Sequence, residues 1–195
     1  MPKALSLRLT ISIFLAISLA ALTFYWQSHR KASTQALPQT QPVKPSGQGY
    51  VLRVGEGEAL RRGEGNTITI KVDPKTGSPT MAVGTQVLKS GAGIPIHMHE
   101  HEDEVLFVHD GAGAAVLEGQ RKTLEKGDTI FVPHGVWHGI ETKGDGISLL
   151  WVVTPPGLED FFRDTSSPVG APTKGLTPAQ TEEIGRKHGV RFKPR

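Results

Sequence analysis

The chain has 195 residues, 37% hydrophobic and 21% charged, which suits one globular domain with short appendages and excludes a wholly disordered chain. It has no cysteine, so disulfide scaffolds, thiolate metal sites and thiol nucleophiles are excluded as well. The net charge of +3 conceals an asymmetry: residues 1–47 carry five basic and no acidic residues, 48–165 carry 11 basic and 17 acidic, and 166–195 carry six basic and two acidic. An acidic middle between basic tails lacks the basic stripe that a nucleic-acid footprint needs, so no nucleic-acid partner is expected.

Lys3 and Arg8 precede residues 9–26, which are 18 residues without a charge. As a helix these span about 27 Å, close to the thickness of a hydrocarbon core. Phe24, Tyr25 and Trp26 suit a headgroup interface, and Arg30 and Lys31 follow. Residues 1–31 therefore read as an N-terminal membrane anchor or signal segment. The uncharged run is longer than a cleaved signal needs, and Ser18-Leu19-Ala20 would cut it in its middle, which favours an uncleaved transmembrane helix. The expected location is the membrane, single-pass with an exported domain, or secreted or periplasmic if the segment is cleaved. Residues 32–49, rich in Pro, Gln and Ser, read as a linker.

Residues 50–165 read as an all-β domain. Strands are expected over 50–54, 67–72, 80–88, 94–99, 104–109, 113–118, 129–132, 137–141 and 147–153, rich in Val, Ile, Thr and aromatics and broken by Gly, Pro and Asp. Their spacing of about 8–12 residues points to a sandwich or barrel. Turns are expected at Asp110-Gly111 and at residues 143–146. Residues 166–195 form a tail with a short helix: Thr177-Pro178 suits an N-cap followed by Pro at the first helical position, and Gly189 marks the end. Residues 158–163 suggest another short helix.

Four side chains bear chemistry. His97 and His99 are two residues apart and share one face of a strand. Glu104 begins the next strand after an acidic loop, residues 100–103, read as solvated. His138 follows the Pro133-His134-Gly135 turn. Three imidazoles and a carboxylate make a good divalent-metal site; the alternative is polar lining of a barrel that holds no metal. His101 extends the alternation and is a conceivable third histidine, whereas His109 and His134 read as surface residues. If Glu104 points inward, so do Leu106 and Val108; Val136 and Ile140 align with His138, and Trp137 and Trp151 are either lining or core. No Ser-His-Asp set, phosphate loop or dinucleotide fingerprint is present.

The frame around these residues is ordered. Gly91, five residues, His97-x-His99, four residues, Glu104, six residues and Gly111 form one pattern. Gly127, five residues, Pro133-x-Gly135, two residues and His138 form a second, 15 residues later. These resemble the two motifs of the cupin superfamily, and the flanking Gly55-Glu56-Gly57-Glu58 and Pro155-x-Gly157 resemble single-domain, quercetin-dioxygenase-like cupins. One departure is Thr142, where many cupins carry Asn, which bears on strand packing more than on metal. The resemblance implies a double-stranded β-helix, or jelly-roll barrel, over 50–165. It also implies a divalent metal on His97, His99, Glu104 and His138, and a homodimer. Fe, Mn, Ni or Co would leave open positions where tetrahedral Zn would be saturated. Two functions follow as expectations: a metal-dependent dioxygenase acting on a small oxygenated aromatic or enolic compound, or a non-catalytic membrane-tethered cupin that binds or senses a small molecule.

Overall fold

The computed structural model describes residues 49–194, which form ten β-strands, two short α-helices and one 3-10 turn at Pro74–Thr76. In chain order they are β1 (Glu58–Arg61), β2 (Asn66–Val72), β3 (Ala82–Lys89), β4 (Gly93–His99), β5 (Asp103–Leu117), β6 (Gln120–Glu125), β7 (Thr129–Val132), β8 (His138–Thr154), α1 (Leu158–Thr165), β9 (Ser167–Pro168), α2 (Pro178–Lys187) and β10 (Val190–Phe192). The segment read as a membrane anchor and nearly all of the linker lie outside the described residues. Among the described residues no helix is long and apolar enough to cross a membrane.

Two strands are much longer than the sequence suggests. β5 runs for 15 residues through the turn expected at Asp110-Gly111, and β8 runs for 17 through the one expected at 143–146. Each bends at these points and serves two sheets. The first half of β5 and the second half of β8 join β7, β3, β2, β1 and β9 in one face; the second half of β5 and the first half of β8 join β6, β4 and β10 in the other. All pairs are antiparallel, and the result is a jelly-roll barrel. The glycines mark the corner of a continuing chain rather than its reversal. Gly111 and Gly146 have φ of 81° and 116°, and a Cβ on Gly111 would stand 2.2 Å from the Gly146 carbonyl oxygen. Only glycine permits both the left-handed backbone and the close approach.

Three further expectations are corrected. Residues 50–54 are not a strand; the edge strand is β1, where Ala59 and Leu60 bury themselves against β2. β6 was missed because five of its six residues are exposed, so it lacks an apolar alternation to read. The segment after α1 contributes two short strands besides the helix, and β10 pairs with β4. The expected tail helix is present: Thr177 Oγ1 accepts from Gln180 N, Thr177 N donates to Gln180 Oε1, and Pro178 occupies the first turn. The core fills the barrel with Ile68, Leu88, Leu106, Val108, Leu149, Trp151 and Val153, and α1 closes it with Leu158, Phe161 and Phe162.

Candidate metal centre and its cavity

The four chemistry-bearing residues come from opposite faces of the barrel. His97 and His99 alternate inward on β4, and His138 opens β8 in register with His97. Glu104 projects from the other face, on β5, between its partners Val132 and Val153. All four are buried, and His99 and His138 are 1% and 2% exposed. The three imidazoles lie with ring centroids 4.1–5.2 Å apart. One ring nitrogen of each falls within 4.8 Å of the others. Glu104 Oε2 is 3.1 Å from His138 Nε2 and 3.7 Å from His99 Nε2.

Hydrogen bonding fixes which nitrogens face inward. His97 Nδ1 is 2.9 Å from the Pro95 carbonyl, and His138 Nδ1 is 2.9 Å from the Val136 carbonyl. A carbonyl only accepts, so each Nδ1 carries the proton and each Nε2 presents its lone pair to the centre. This is the arrangement that orients a metal-ligating histidine. His138 Nε2 and both nitrogens of His99 are buried without a hydrogen-bond partner. Such atoms are costly unless something satisfies them. These donors fit a divalent cation.

The electrostatics agree. Burial and the neighbouring imidazoles of His138 and His99 hold His97 well below its ordinary 6.5, so it stays neutral. Burial opposes ionisation of Glu104, yet His138 and His99 outweigh it and hold this carboxyl well below its ordinary 4.5. Both shifts act in one direction on stability. As pH falls below 6.5 the unfolded chain protonates His97 while the folded chain resists, and below 4.5 the same holds for Glu104. Through these two groups the unfolded state then binds more protons, so their contribution to the stability of the metal-free protein falls between about pH 7 and pH 4. Melting curves across that range test this, and a melting temperature that is flat or rises on acidification contradicts it.

A cavity of about 220 Å³ adjoins the cluster. His97, Glu104 and His138 form its polar floor, and Leu106, Phe161 and Phe162 form apolar walls. Asn66 and Gln86 also line it, buried and joined by a 3.0 Å hydrogen bond from Gln86 Nε2 to Asn66 Oδ1. Arg62 and Phe192 line the mouth. The sequence reading identified neither this polar pair nor Arg62. Their strands carried a signal of alternation, but nothing local marks which inward positions meet a cavity rather than a packed core.

The other candidates separate. His101 is exposed and outside the cluster, its ring packed near Gly189. His109 is exposed, and His134 pairs at 2.8 Å with Asp103. The acidic loop is not simply solvated: Glu102 is 4% exposed and Glu100 bonds Arg191 on β10 at 2.7 Å. Val108, Ile140 and Trp151 are core residues. Thr142 donates to the Ala92 carbonyl at 2.8 Å and ties β8 to the turn before β4, the packing role expected of that departure.

The sequence pattern of the cupin domain family matches residues 84–155, the stretch that holds all four residues of the centre. Residues 84–155 are a cupin domain. Among curated relatives this chain is 33% identical over 100 residues to Germin-like protein 11-1 of Oryza sativa subsp. japonica, covering 47% of this chain and 45% of that one. It is 28% identical over 75 residues to pectin degradation protein KdgF of Dickeya dadantii, covering 38% of this chain and 67% of that one. The chain spans about half the length of the curated relatives it matches first, 45% and 57%. Among solved structures, an RmlC-like cupin from Shewanella frigidimarina NCIMB 400 superposes with a TM-score of 0.51 at 24% identity, covering 58% of this chain and 96% of that one, which establishes the shared fold.

Proposed function

We propose that this cupin holds one divalent metal ion on His97, His99, Glu104 and His138 and acts as a dioxygenase on a small oxygenated aromatic or enolic compound seated in the adjoining cavity. The observation that carries the metal reading is the set of buried imidazole nitrogens without partners, gathered on an ionised carboxylate. Four protein ligands would saturate tetrahedral zinc, whereas six-coordinate Fe, Mn, Ni or Co keeps about two positions open, so the latter suit a reacting centre. A metal held there polarises a carbonyl or enolate oxygen of the substrate.

The chain supplies the rest. Pro95 and Val136 carbonyls lock the His97 and His138 rings, so little reorganisation accompanies binding. Glu104 reduces the charge of the centre to +1, which still favours an anionic or enolic oxygen. Leu106, Phe161 and Phe162 exclude water and present apolar surface to a ring or chain. Oxygen consumption that requires both the metal and a substrate from a panel of catechols, hydroxy acids and enols is the expected result. Inertness with each of the four metals across that panel would remove the enzyme reading.

The second reading is a non-catalytic, membrane-tethered cupin that binds or senses a small molecule. It is favoured by the uncharged residues 9–26 and the Pro-rich linker that follows. It requires a single-pass anchor and an exported domain; cleavage would instead give a secreted or periplasmic one. A ligand that raises the melting temperature without turnover selects it. Under either reading we propose a homodimer, supported by Val87, Phe107 and Phe131, which are 43%, 36% and 60% exposed on the outer face of β3, β5 and β7.

A further inference from the structure

Arg62 follows β1 directly and lines both the inner cavity and the larger groove outside it. Its guanidinium carbon lies 4.7 Å from the Phe161 ring centroid and 5.9 Å from that of Phe192. The two rings come from α1 and β10, so the head group is held between elements that close the barrel. Burial alone lowers its pKa, to about 10, and no acidic group acts on it. The arginine nevertheless remains charged at neutral pH. Among the described residues no carboxylate forms an ion pair with it. Arg163, by contrast, is met by Glu58, Asp73 and Asp160.

Arg62 is only half-buried, and an arginine that lines a cavity with no carboxylate partner is placed to meet an anion entering there. The acids near enough to consider are already committed or exposed. Glu104 belongs to the imidazole cluster. Glu182, on the rim of the outer groove, is exposed on α2 and shares that rim with Lys193. Phe161 and Phe192 hold the guanidinium by cation–π contact, and no side-chain hydrogen bond to another residue occupies its N–H groups among the described residues. The Asn66–Gln86 pair lines the same cavity. Their mutual bond uses one Gln86 donor and the Asn66 oxygen, so the Asn66 amide N–H groups and the Gln86 carbonyl are left for polar atoms between the two ends.

We propose that Arg62 is the anion-binding residue of this cavity, and that its ligand is a small molecule with metal-chelating oxygens at one end and a carboxylate at the other. The inference rests on the metal reading above for the chelating end only. It narrows the substrate class from oxygenated compounds in general to anionic ones with a second charge remote from the metal. Charge supports it: the centre at +1 and Arg62 at +1 balance a dianion. The apolar walls between the two poles suit a short carbon skeleton.

The test uses the full-length protein with and without Co(II), titrated calorimetrically with matched probes. 2-Oxoglutarate and 2-oxoadipate carry the remote carboxylate; 2-oxopentanoate and 2-oxohexanoate replace it with a methyl group. In the native protein at least one diacid should bind about tenfold or more tightly than its monoacid partner. Arg62→Met keeps the stem against Phe161 and should erase that preference, Arg62→Lys should retain part of it, and all three proteins should load cobalt equally. A preference that survives Arg62→Met, or no diacid preference in the native protein, overturns the assignment. If Arg62→Met does not fold, Arg62→Lys and the fall of the native preference with added salt decide the same point. Failure to load cobalt would sink the metal reading separately, and the diacid comparison on metal-free protein would still judge Arg62.

Discussion

Alanine at His97 or at His138 will strip the protein of stoichiometric divalent metal. Native protein should carry about one ion per chain, and each variant should lose affinity by more than the 10–100-fold that removal of a mere orienting partner costs. The reason is geometric. Each residue presents a single inward Nε2, fixed by its own Nδ1 bond to a carbonyl two residues back, and no neighbouring side chain can take its place. His101, the nearest histidine in sequence to His99, is exposed beside Gly189 and cannot substitute. Elemental analysis after refolding in the presence of metal reads the effect, and far-UV circular dichroism verifies that the barrel persists. Variants that still bind one ion per chain would show that these imidazoles are only polar lining.

Trp151→Ala should destabilise the barrel by about 3–5 kcal/mol, the usual cost of deleting a large buried aromatic. Trp151 is 1% exposed on the second half of β8 and packs on Phe162 of α1 with ring centroids 5.5 Å apart. Gly84 lies directly beneath the indole: a Cβ there would stand 2.3 Å from Trp151 Cζ2, so the site has been shaped around this ring. The indole N–H is buried without a partner, which makes Trp151→Phe the milder change, since it removes an unsatisfied donor while keeping a ring against Phe162. Urea unfolding separates the two: the midpoint of the alanine variant should fall far more than that of the phenylalanine variant. A loss below about 1 kcal/mol for Trp151→Ala would mean that α1 is not anchored through this contact.

Much of the centre is visible in the chain because its donors sit at strand-like spacing. His97-x-His99 places two rings on one face whatever the sheet. Glu104 and His138 are each framed by glycines and proline at regular intervals. β6 was invisible for the opposite reason, being almost wholly exposed. Local turn residues misled at Asp110-Gly111 and at 143–146, because a bend in a continuing strand and a reversal use the same left-handed glycine. Only long-range pairing distinguishes them, and here β8 supplies it on both sides of the corner.

Strand spacing, the inward pairing of His97 with His99 and the capped tail helix were set by the sequence alone, since alternation, capping and turn chemistry act over a few residues. The tertiary structure decided that Glu104 crosses from the opposing face to meet the imidazoles, and that Arg62, Asn66 and Gln86 look into the same cavity. Those meetings join residues of β2, β3, β4, β5 and β8, brought together by the two bent strands. No local pattern encodes the angle at which a barrel closes.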